Sequence, residues 1–354
     1  MIKQIVKTLD GNEAAADVAY NFTEVATIYP ITPSSPMAEH VDVWSANGRK
    51  NLFGQPVKLV EMQSEAGAIG AVHGATETGS LCSSFTASQG LMLMIPVMHR
   101  LSGELKPVVL HIAARTVGTH TMSIFGDHSD VMGCRNTGWA MLCSASVQEC
   151  ADLAAVAHLS TIKGRVPFMH FFDGFRTSHE IQKIKMLPAE ELGKLIDRDA
   201  LYHFKHTGLN PEHPVMRSTV TNPDMFFQSR EANNPWYQRL PYIVQDYMDQ
   251  ISELTGRPYH LFDYYGAPDA EHVVIAMGSV TGAIQETIDK LCKEGKKVGF
   301  IQVHLYRPFS LEHFMKAMPD TVRTITVMDR TKEPGALGEP LYVDVCAAMS
   351  HVKQ

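Results

Sequence analysis

A loop that carries three prolines, YPITPSSPM at residues 29–37, most limits how this chain can fold. It follows a short apolar run, residues 25–29, whose length and β-branched content predict a buried strand. Proline fixes φ at about −65° and donates no backbone hydrogen bond, so Pro30, Pro33 and Pro36 exclude the loop from helix and sheet interiors. Open α/β sheets bind ligands at rigid loops of this kind. A proline-rich turn that only caps a helix explains the residues equally well.

The alternation of strand, loop and helix continues along the chain. Apolar runs that predict strands recur at 57–62, 108–115, 139–146, 166–172, 273–278, 298–303 and 324–329. Helical patterns separate them, so we predict an α/β fold: an open parallel sheet with helices on both faces, then a smaller and incomplete α/β domain. We expect the strand at 57–62 to be buried on both faces. The predicted domains are 1–256, with a polar arm at about 181–239, and 257–354.

Charged residues stand where two of these strands end. Glu61 lies near the end of the strand at 57–62, and Glu65 begins the helix that follows. Arg115 comes directly after the run at 108–114. The carboxyl ends of parallel strands share one edge of a sheet, so these side chains are candidates for a ligand crevice. A surface arginine paired with a nearby carboxylate is the alternative for Arg115.

Three glycines recur at helical spacing behind Glu65. Gly67, Gly70 and Gly74 fall on one face of the predicted helix. Each glycine costs a helix interior about 1 kcal/mol, so this face predicts close approach by another backbone or by a ligand.

A long segment, residues 116–138, is rich in Gly, His and Asp and is predicted to cover the substrate or to meet a partner surface. This segment contains residue types that bind metals, but they are not spaced as in a known metal-binding motif. No metal site is therefore predicted for His120, Asp127, His128 and Asp130. The six cysteines form no CxxC pair, which disfavours a zinc or iron–sulfur site. Asp173 and Arg176 follow another strand and are possible site-edge or interface residues.

Composition excludes several classes of protein. The 354 residues are 45% hydrophobic and 19% charged, with a formal net charge of −7 and no basic block, so a nucleic-acid partner is not expected. The most apolar run, residues 91–98, is too short for a membrane span. The first twenty residues lack the apolar core of a signal peptide, and we predict a cytoplasmic protein without membrane partners.

The order and spacing of several strings resemble the N-terminal part of pyruvate:ferredoxin (flavodoxin) oxidoreductases, from end to end of the chain. These strings are YPITPSS, EMQSEAGA, FTASQGLMLM, HIAAR, FDGFRTSHEIQKI, LYRPF and DRTKEPGA. The resemblance implies a thiamine-diphosphate pyrimidine-binding domain followed by a domain similar to the C-terminal domain of transketolases. It also implies oxidative decarboxylation of pyruvate to acetyl-CoA, with electrons passed to ferredoxin or flavodoxin.

The same resemblance implies roles for three residues. Glu65, in QSEAG, matches the glutamate that binds the cofactor pyrimidine, and Glu61 is the alternative. Arg115, helped by the Thr32 hydroxyl, matches the position that binds the carboxylate of the 2-oxo acid; arginine suits it because its fork donates two hydrogen bonds.

Other parts of such an enzyme have no motif in these residues. No GDG motif followed by asparagine and no CxxCxxC run occurs in the chain. Mg²⁺ and [4Fe-4S] clusters are therefore expected on other domains or subunits, with coenzyme A as a substrate and a dimeric assembly. The alternatives are a non-catalytic remnant or interaction module that keeps the fold, and an equivalent subunit acting on another 2-oxo acid.

Overall fold

The structure is a computed structural model that describes residues 2–217 and 219–352. The strands in chain order are β1 (Ile5–Leu9), β2 (Val25–Ile28), β3 (Lys58–Glu61), β4 (Cys82–Thr86), β5 (Val108–Ala114), β6 (Ala140–Ser144), β7 (Phe168–Asp173), β8 (Gln182–Met186), β9 (Phe262–Gly266), β10 (His272–Ala276), β11 (Val298–Val303), β12 (Leu305–Arg307) and β13 (Thr324–Met328). The helices are α1 (Gly11–Phe22), α2 (Ser35–Ala46), α3 (Glu65–Glu77), α4 (Ser88–Gly103), α5 (Ser129–Gly133), α6 (Val147–Gly164), α7 (Ala189–Lys194), α8 (Arg198–His206), α9 (Pro223–Glu231), α10 (Asn234–Thr255), α11 (Val280–Lys293), α12 (Leu311–Ala317) and α13 (Pro340–Val352).

The largest sheet is seven-stranded, in the order β12-β6-β7-β5-β4-β2-β3. Its strands are parallel except β12, which pairs antiparallel with β6. Every residue of β4, β5, β6 and β7 is buried, as happens when helices cover both faces of a parallel sheet. This confirms the predicted fold class.

Side-chain caps determine where several helices begin. The Asp10 carboxylate accepts a hydrogen bond from the Glu13 amide and caps α1. Ser64 caps α3 through the Gly67 amide in the same way, which holds Glu65 in the first turn. At the other end of α10, Gly256 closes the helix in the left-handed conformation, with φ of 77°.

One expectation about the first α/β unit was wrong, and another stays open. The strand predicted to be buried on both faces, β3, is the edge strand of the sheet, and its residues are half-buried or exposed. An apolar run indicates a strand but not its place in the sheet. The close approach predicted for the glycine face of α3, by a backbone or a ligand, stays a prediction: a Cβ atom at Gly70 or Gly74 would meet no described residue within 4 Å, so this face is open.

The segment predicted as a polar arm contains regular structure. Its first strand, β8, pairs antiparallel with β1. Helix α9 buries none of its residues, and Met225, Phe226 and Phe227 are each more than half exposed. By contrast, Trp236 and Tyr237 in α10 pack against the main core.

The second α/β unit contains a four-stranded sheet in the order β13-β10-β11-β9. Its predicted strands β10, β11 and β13 are parallel, and β9 adds an antiparallel edge. The short strand β12 leaves this unit and joins the seven-stranded sheet at Leu142. The two units therefore share a continuous core. No helix in the described ranges is long and apolar enough to span a bilayer.

Candidate active site

The proline loop after β2 is fixed from two sides. Asn12, fully buried in α1, donates a hydrogen bond from Nδ2 to the Pro33 carbonyl at 2.9 Å. The Ser34 amide and hydroxyl both bond to the Ile31 carbonyl, at 2.9 and 2.8 Å. Thr32 remains exposed at the tip, and its hydroxyl has no hydrogen bond to any other described residue. The loop thus presents a hydroxyl at the carboxyl edge of the sheet.

The two candidate glutamates differ in burial. Glu61, the last residue of β3, is exposed, whereas Glu65 is only 6% exposed. No residue within 2–217 and 219–352 donates a hydrogen bond to the Glu65 carboxylate. Helix α4 approaches it closely at Gly90, where a Cβ atom would lie 2.5 Å from Glu65 Oε1. Only glycine leaves room for the carboxylate there.

Arg115 lies at the end of β5 and is 7% exposed. Its Nη1 donates to the Thr32 carbonyl at 2.6 Å, and its Nη2 donates to Gln89 Oε1 at 3.2 Å. Its Nε is buried and has no partner among the described residues. Burial lowers the pKa of the guanidinium, and the Asp130 carboxylate opposes that shift. The side chain stays positive and keeps free N–H groups for an anion.

Asp130 connects the ends of β4 and β5. Its Oδ2 accepts hydrogen bonds from the Ser88 amide at 2.8 Å and the Arg115 amide at 3.0 Å, and its Oδ1 accepts from the Val131 amide. Burial raises the pKa of Asp130 to about 6, although these amides favour the ionised form. Asp130 therefore positions the backbone at the start of α4, at the end of β5 and in α5.

A second polar cluster joins the two α/β units at the end of β7. The Asp173 carboxylate, fully buried, accepts hydrogen bonds from His128 Nε2 at 2.6 Å and Arg330 Nη1 at 2.8 Å. The amide and hydroxyl of Ser279 donate to it at 2.8 and 2.5 Å. Burial alone would raise the pKa of Asp173, but attraction by His128 and Arg330 lowers it overall. Arg176, the other charge predicted for this edge, is exposed.

The described part of the chain contains one group of three side chains spaced as metal ligands, His73, Glu77 and Glu104. Lys106 Nζ lies 2.8 Å from Glu77 Oε1 and already supplies a positive charge there.

Thr32, Glu65 and Arg115 are brought to one edge of the sheet through a short series of contacts. Glu65 lies against Gly90, and Gln89 is the residue that precedes Gly90 in α4. Gln89 and Thr32 both accept hydrogen bonds from Arg115. Sequence reasoning missed Gln89 and the bridging role of Asp130. No spacing pattern marks them, because their partners lie 15 to 42 residues away.

A parallel α/β sheet with a buried, unpaired carboxylate and an arginine at its carboxyl edge is typical of the class of α/β proteins that bind a ligand at this edge. Comparison with known families identifies the family to which the chain belongs. Residues 17–249 match the family described as pyruvate flavodoxin/ferredoxin oxidoreductase, thiamine diphosphate-binding, and the chain belongs to this family. Residues 270–354 match pyruvate:ferredoxin oxidoreductase core domain II. The resemblance predicted from the sequence is therefore confirmed.

The chain is similar to longer relatives. It is 62% identical over 339 residues to the pyruvate:ferredoxin oxidoreductase of Moorella thermoacetica, covering 96% of this chain and 29% of that protein. It is 62% identical over 346 residues to the pyruvate-flavodoxin oxidoreductase of Klebsiella pneumoniae, covering 98% and 30%. The chain thus spans less than a third of the length of these relatives.

A solved structure has the same fold at lower identity. The 2-oxoglutarate:ferredoxin oxidoreductase from Magnetococcus marinus superposes with a TM-score of 0.66 and 20% identity, over 92% of this chain and 58% of that one.

The cofactor that the family description names can be tested against the donor set at Glu65. A carboxylate that is buried, has no hydrogen-bond donor among the described residues and is given space by Gly90 suits a nitrogen heterocycle that exchanges a hydrogen bond with it. The pyrimidine half of thiamine diphosphate has such ring nitrogens. The residues present therefore fit this half of the cofactor.

Proposed function

We propose that this chain forms the pyrimidine-binding and substrate-binding part of a pyruvate:ferredoxin or pyruvate:flavodoxin oxidoreductase. The enzyme would convert pyruvate and coenzyme A to acetyl-CoA and carbon dioxide, in a dimeric assembly with the remaining domains or subunits. Diphosphate and magnesium binding and [4Fe-4S] electron transfer belong to those parts. The observation that carries the proposal is the buried, unpaired Glu65 carboxylate in a chain of this family.

Glu65 is the residue proposed to hold the pyrimidine ring. When bound, thiamine diphosphate supplies a carbon nucleophile and an electron sink for decarboxylation of a 2-oxo acid. Glu65 would hold a proton between its carboxylate and a pyrimidine nitrogen, as a positioned general acid–base. Burial supports this role, because water would compete for an exposed carboxylate such as Glu61.

Arg115 and Thr32 are proposed to bind the substrate carboxylate. The guanidinium is held by the Thr32 carbonyl and by Gln89, which leaves Nε–H and one hydrogen on each Nη for the substrate. Charge-assisted hydrogen bonds of this kind are roughly twice as strong as neutral ones. The exposed Thr32 hydroxyl is free to add another.

A cytoplasmic location is also proposed. All six cysteines are free thiols, as is usual in a reducing compartment.

Calorimetric titration of thiamine diphosphate with magnesium tests the proposal, first into this chain alone and then after the completing polypeptide is added. This chain alone offers the cofactor a few hydrogen bonds worth about 1 kcal/mol each, whereas the cofactor loses several kcal/mol of translational and rotational freedom on binding. We therefore expect a Kd weaker than about 1 mM. The assembly should bind at about 1 μM or tighter and should decarboxylate pyruvate.

Two results would contradict the proposal. Tight, magnesium-dependent binding by this chain alone would mean that the whole cofactor site lies within it. An assembly that binds no cofactor would favour a non-catalytic module. Turnover of a larger 2-oxo acid in preference to pyruvate would change the substrate only.

A further inference from the structure

The Gln89 side chain, at the start of α4, touches the candidate substrate arginine with only one side of its amide. Its Oε1 accepts a hydrogen bond from Arg115 Nη2 at 3.2 Å, and the Ser88 hydroxyl bonds to the same oxygen. Arginine carries no acceptor, so the amide atom that faces it must be oxygen. The amide nitrogen therefore faces the other way.

The nitrogen side of this amide is unoccupied by protein acceptors. No residue in the described ranges accepts a hydrogen bond from Gln89 Nε2, although Gln89 is half-buried. The backbone at Gly118 lies close to this nitrogen, because a Cβ atom on that residue would lie 2.4 Å from Nε2. Any side chain at residue 118 would displace the amide nitrogen from this position, so glycine is needed there.

The backbone that carries Gln89 is held in an uncommon conformation. Ser88 has φ of 52°, in the left-handed region that residues other than glycine seldom adopt. Its amide donates to Asp130 at 2.8 Å, and the one hydrogen of its hydroxyl is shared between Gln89 Oε1 and the Thr116 carbonyl, which lies 2.6 Å away. Strain that is held by several bonds beside a ligand crevice is typical of residues that position a functional group. Here the positioned group is the Gln89 amide.

We infer that Gln89 is a second residue that binds the substrate carboxylate, beside Arg115. The inference rests on the proposed function, in which Arg115 binds that carboxylate. The oxygen and nitrogen of one amide are about 2.3 Å apart, so Nε2 lies no more than about 5.5 Å from Arg115 Nη2. One carboxylate can accept a hydrogen bond of about 2.9 Å from each of two donors at that separation.

Such a donor adds direction to the binding of the carboxylate. Arg115 supplies the charge that attracts an anion, whereas the neutral amide donates to one oxygen at a fixed position. The substrate class is a small 2-oxo acid whose carboxylate spans Arg115 and Gln89.

Three substitutions of Gln89 separate the possible roles in the assembly of this chain with the polypeptide that completes it. Gln89→Met removes both donor and acceptor, Gln89→Glu keeps only the acceptor, and Gln89→Lys keeps only the donor. We expect the KM for pyruvate to rise about tenfold to a hundredfold in the Met variant and further in the Glu variant. The Lys variant should stay within about tenfold of the unsubstituted protein, because it still donates to the carboxylate. Thiamine diphosphate affinity, measured by calorimetry, should not change.

Two other patterns would overturn the inference. If Gln89 only orients Arg115 as an acceptor, the Glu variant will bind pyruvate normally and the Lys variant worst. If Gln89 touches neither, the Met variant will match the unsubstituted protein.

Gly118→Ala tests the same donor without changing Gln89. The obstacle it meets is the flexible end of the Gln89 side chain, so the fold should accept it while the amide moves. The KM for pyruvate should rise several-fold. Gly103→Ala is the matched control, because its Cβ atom would meet nothing within 4 Å. A Gly118→Ala variant with unchanged KM would count against the inference even if a Gln89 variant failed to fold.

Arg115→Ala distinguishes failure of this inference from failure of the proposed function. If Arg115→Ala raises the KM for pyruvate at least about tenfold and the Gln89 and Gly118 variants do not, only the role of Gln89 is refuted. If Arg115→Ala leaves that KM unchanged, the substrate carboxylate lies elsewhere and both are refuted.

Discussion

Three buried histidines make the stability of this fold sensitive to acid. His111 on β5, His170 on β7 and His158 on α6 are each at most 3% exposed. His111 Nδ1 lies 2.9 Å from His170 Nδ1, and His111 Nε2 lies 3.0 Å from His158 Nε2. Each of these contacts needs one N–H and one bare nitrogen, and three neutral rings satisfy both contacts. The Ser144 hydroxyl, 2.8 Å from His170 Nε2, is the last member of this series of hydrogen bonds.

Burial is the main reason that these rings resist protonation. It lowers the pKa of His111 to about 3 and the pKa of His158 and His170 well below the ordinary value, with repulsion between the rings adding for the latter two. In the unfolded chain each histidine titrates at about pH 6.5. Below that pH the unfolded state binds more protons than the folded state, so stability present above pH 6.5 is lost as pH falls toward the folded pKa values.

The size of the effect follows from one proton per ring. Between about pH 7.5 and about pH 5.5, uptake of that proton by the unfolded state alone lowers the free energy of unfolding by about 1.4 kcal/mol per histidine. The three rings together account for about 4 kcal/mol, a large share of the 5–15 kcal/mol that is typical of a folded domain.

Urea unfolding, followed by tryptophan fluorescence at several pH values, measures this dependence. The comparison is between the unsubstituted chain and His170→Gln, in which an amide can still bond to His111 and Ser144 but cannot titrate. We expect the loss of free energy over this pH interval to be smaller in the variant by about 1.4 kcal/mol. Equal losses in the two proteins would refute the reasoning, because His170 would then take up its proton in the folded state.

Other histidines act in the opposite direction but do not disturb the comparison. Burial would lower the pKa of His304, but hydrogen bonds and attraction from Asp263 and Glu149 raise it to about 10. Attraction by Asp173 likewise raises the pKa of His128 against the effect of burial. The contribution of His304 and His128 to the free energy of unfolding is complete below about pH 6.5 and is lost as pH rises through their folded pKa values. This change is equal in both proteins.

Further predictions concern the site and the junction between the units. Glu65→Gln should lower pyruvate turnover by the assembly at least ~100-fold with the fold intact, whereas Glu61→Gln should stay near normal; the reverse result would mean that the wrong glutamate was chosen. Gly90→Ala should displace the Glu65 carboxylate and weaken the binding of thiamine diphosphate measured by calorimetry. In the control Gly70→Ala, the added methyl group meets no described atom, so binding should stay unchanged while α3 is stabilised by up to ~1 kcal/mol. Arg330→Ala should lower the free energy of unfolding by roughly 1.5–3 kcal/mol in urea titration, because the buried Asp173 carboxylate loses one of its charged partners and keeps only His128; no change would mean that His128 is sufficient.

The sequence predicted those parts of the site that follow from a strand end or from the family. Arg115 comes directly after an apolar run, and Thr32 lies among prolines, so both could be placed at the carboxyl edge before the structure was known. Gln89 and Asp130 could not, because their partners, the Arg115 guanidinium for Gln89 and the Ser88 and Arg115 amides for Asp130, are brought together only by the order of the strands.

The parts of the fold that the sequence did not predict have a similar cause. Strand β12 is three residues long, and the partner of β8 is β1, at the opposite end of the first unit. Strand β12 is too short for a pattern, and β8, whose burial alternates, lacks the continuous apolar run that marked the other strands; both exist because a distant partner is present. The edge position of β3 was missed for the same reason, since its burial depends on neighbours and not on its own residues.

The loop at residues 116–128 connects these observations, because it is fixed at one end by the site and at the other by the second unit. Near its start, Gly118 lies against the Gln89 amide. Near its end, the Arg330 carbonyl accepts from the His128 amide at 2.9 Å, and Arg330 Nε donates to the Gly126 carbonyl at 3.1 Å. About ten residues of one loop therefore connect the contacts with Arg330, in the second unit, to the backbone beside the proposed substrate donor.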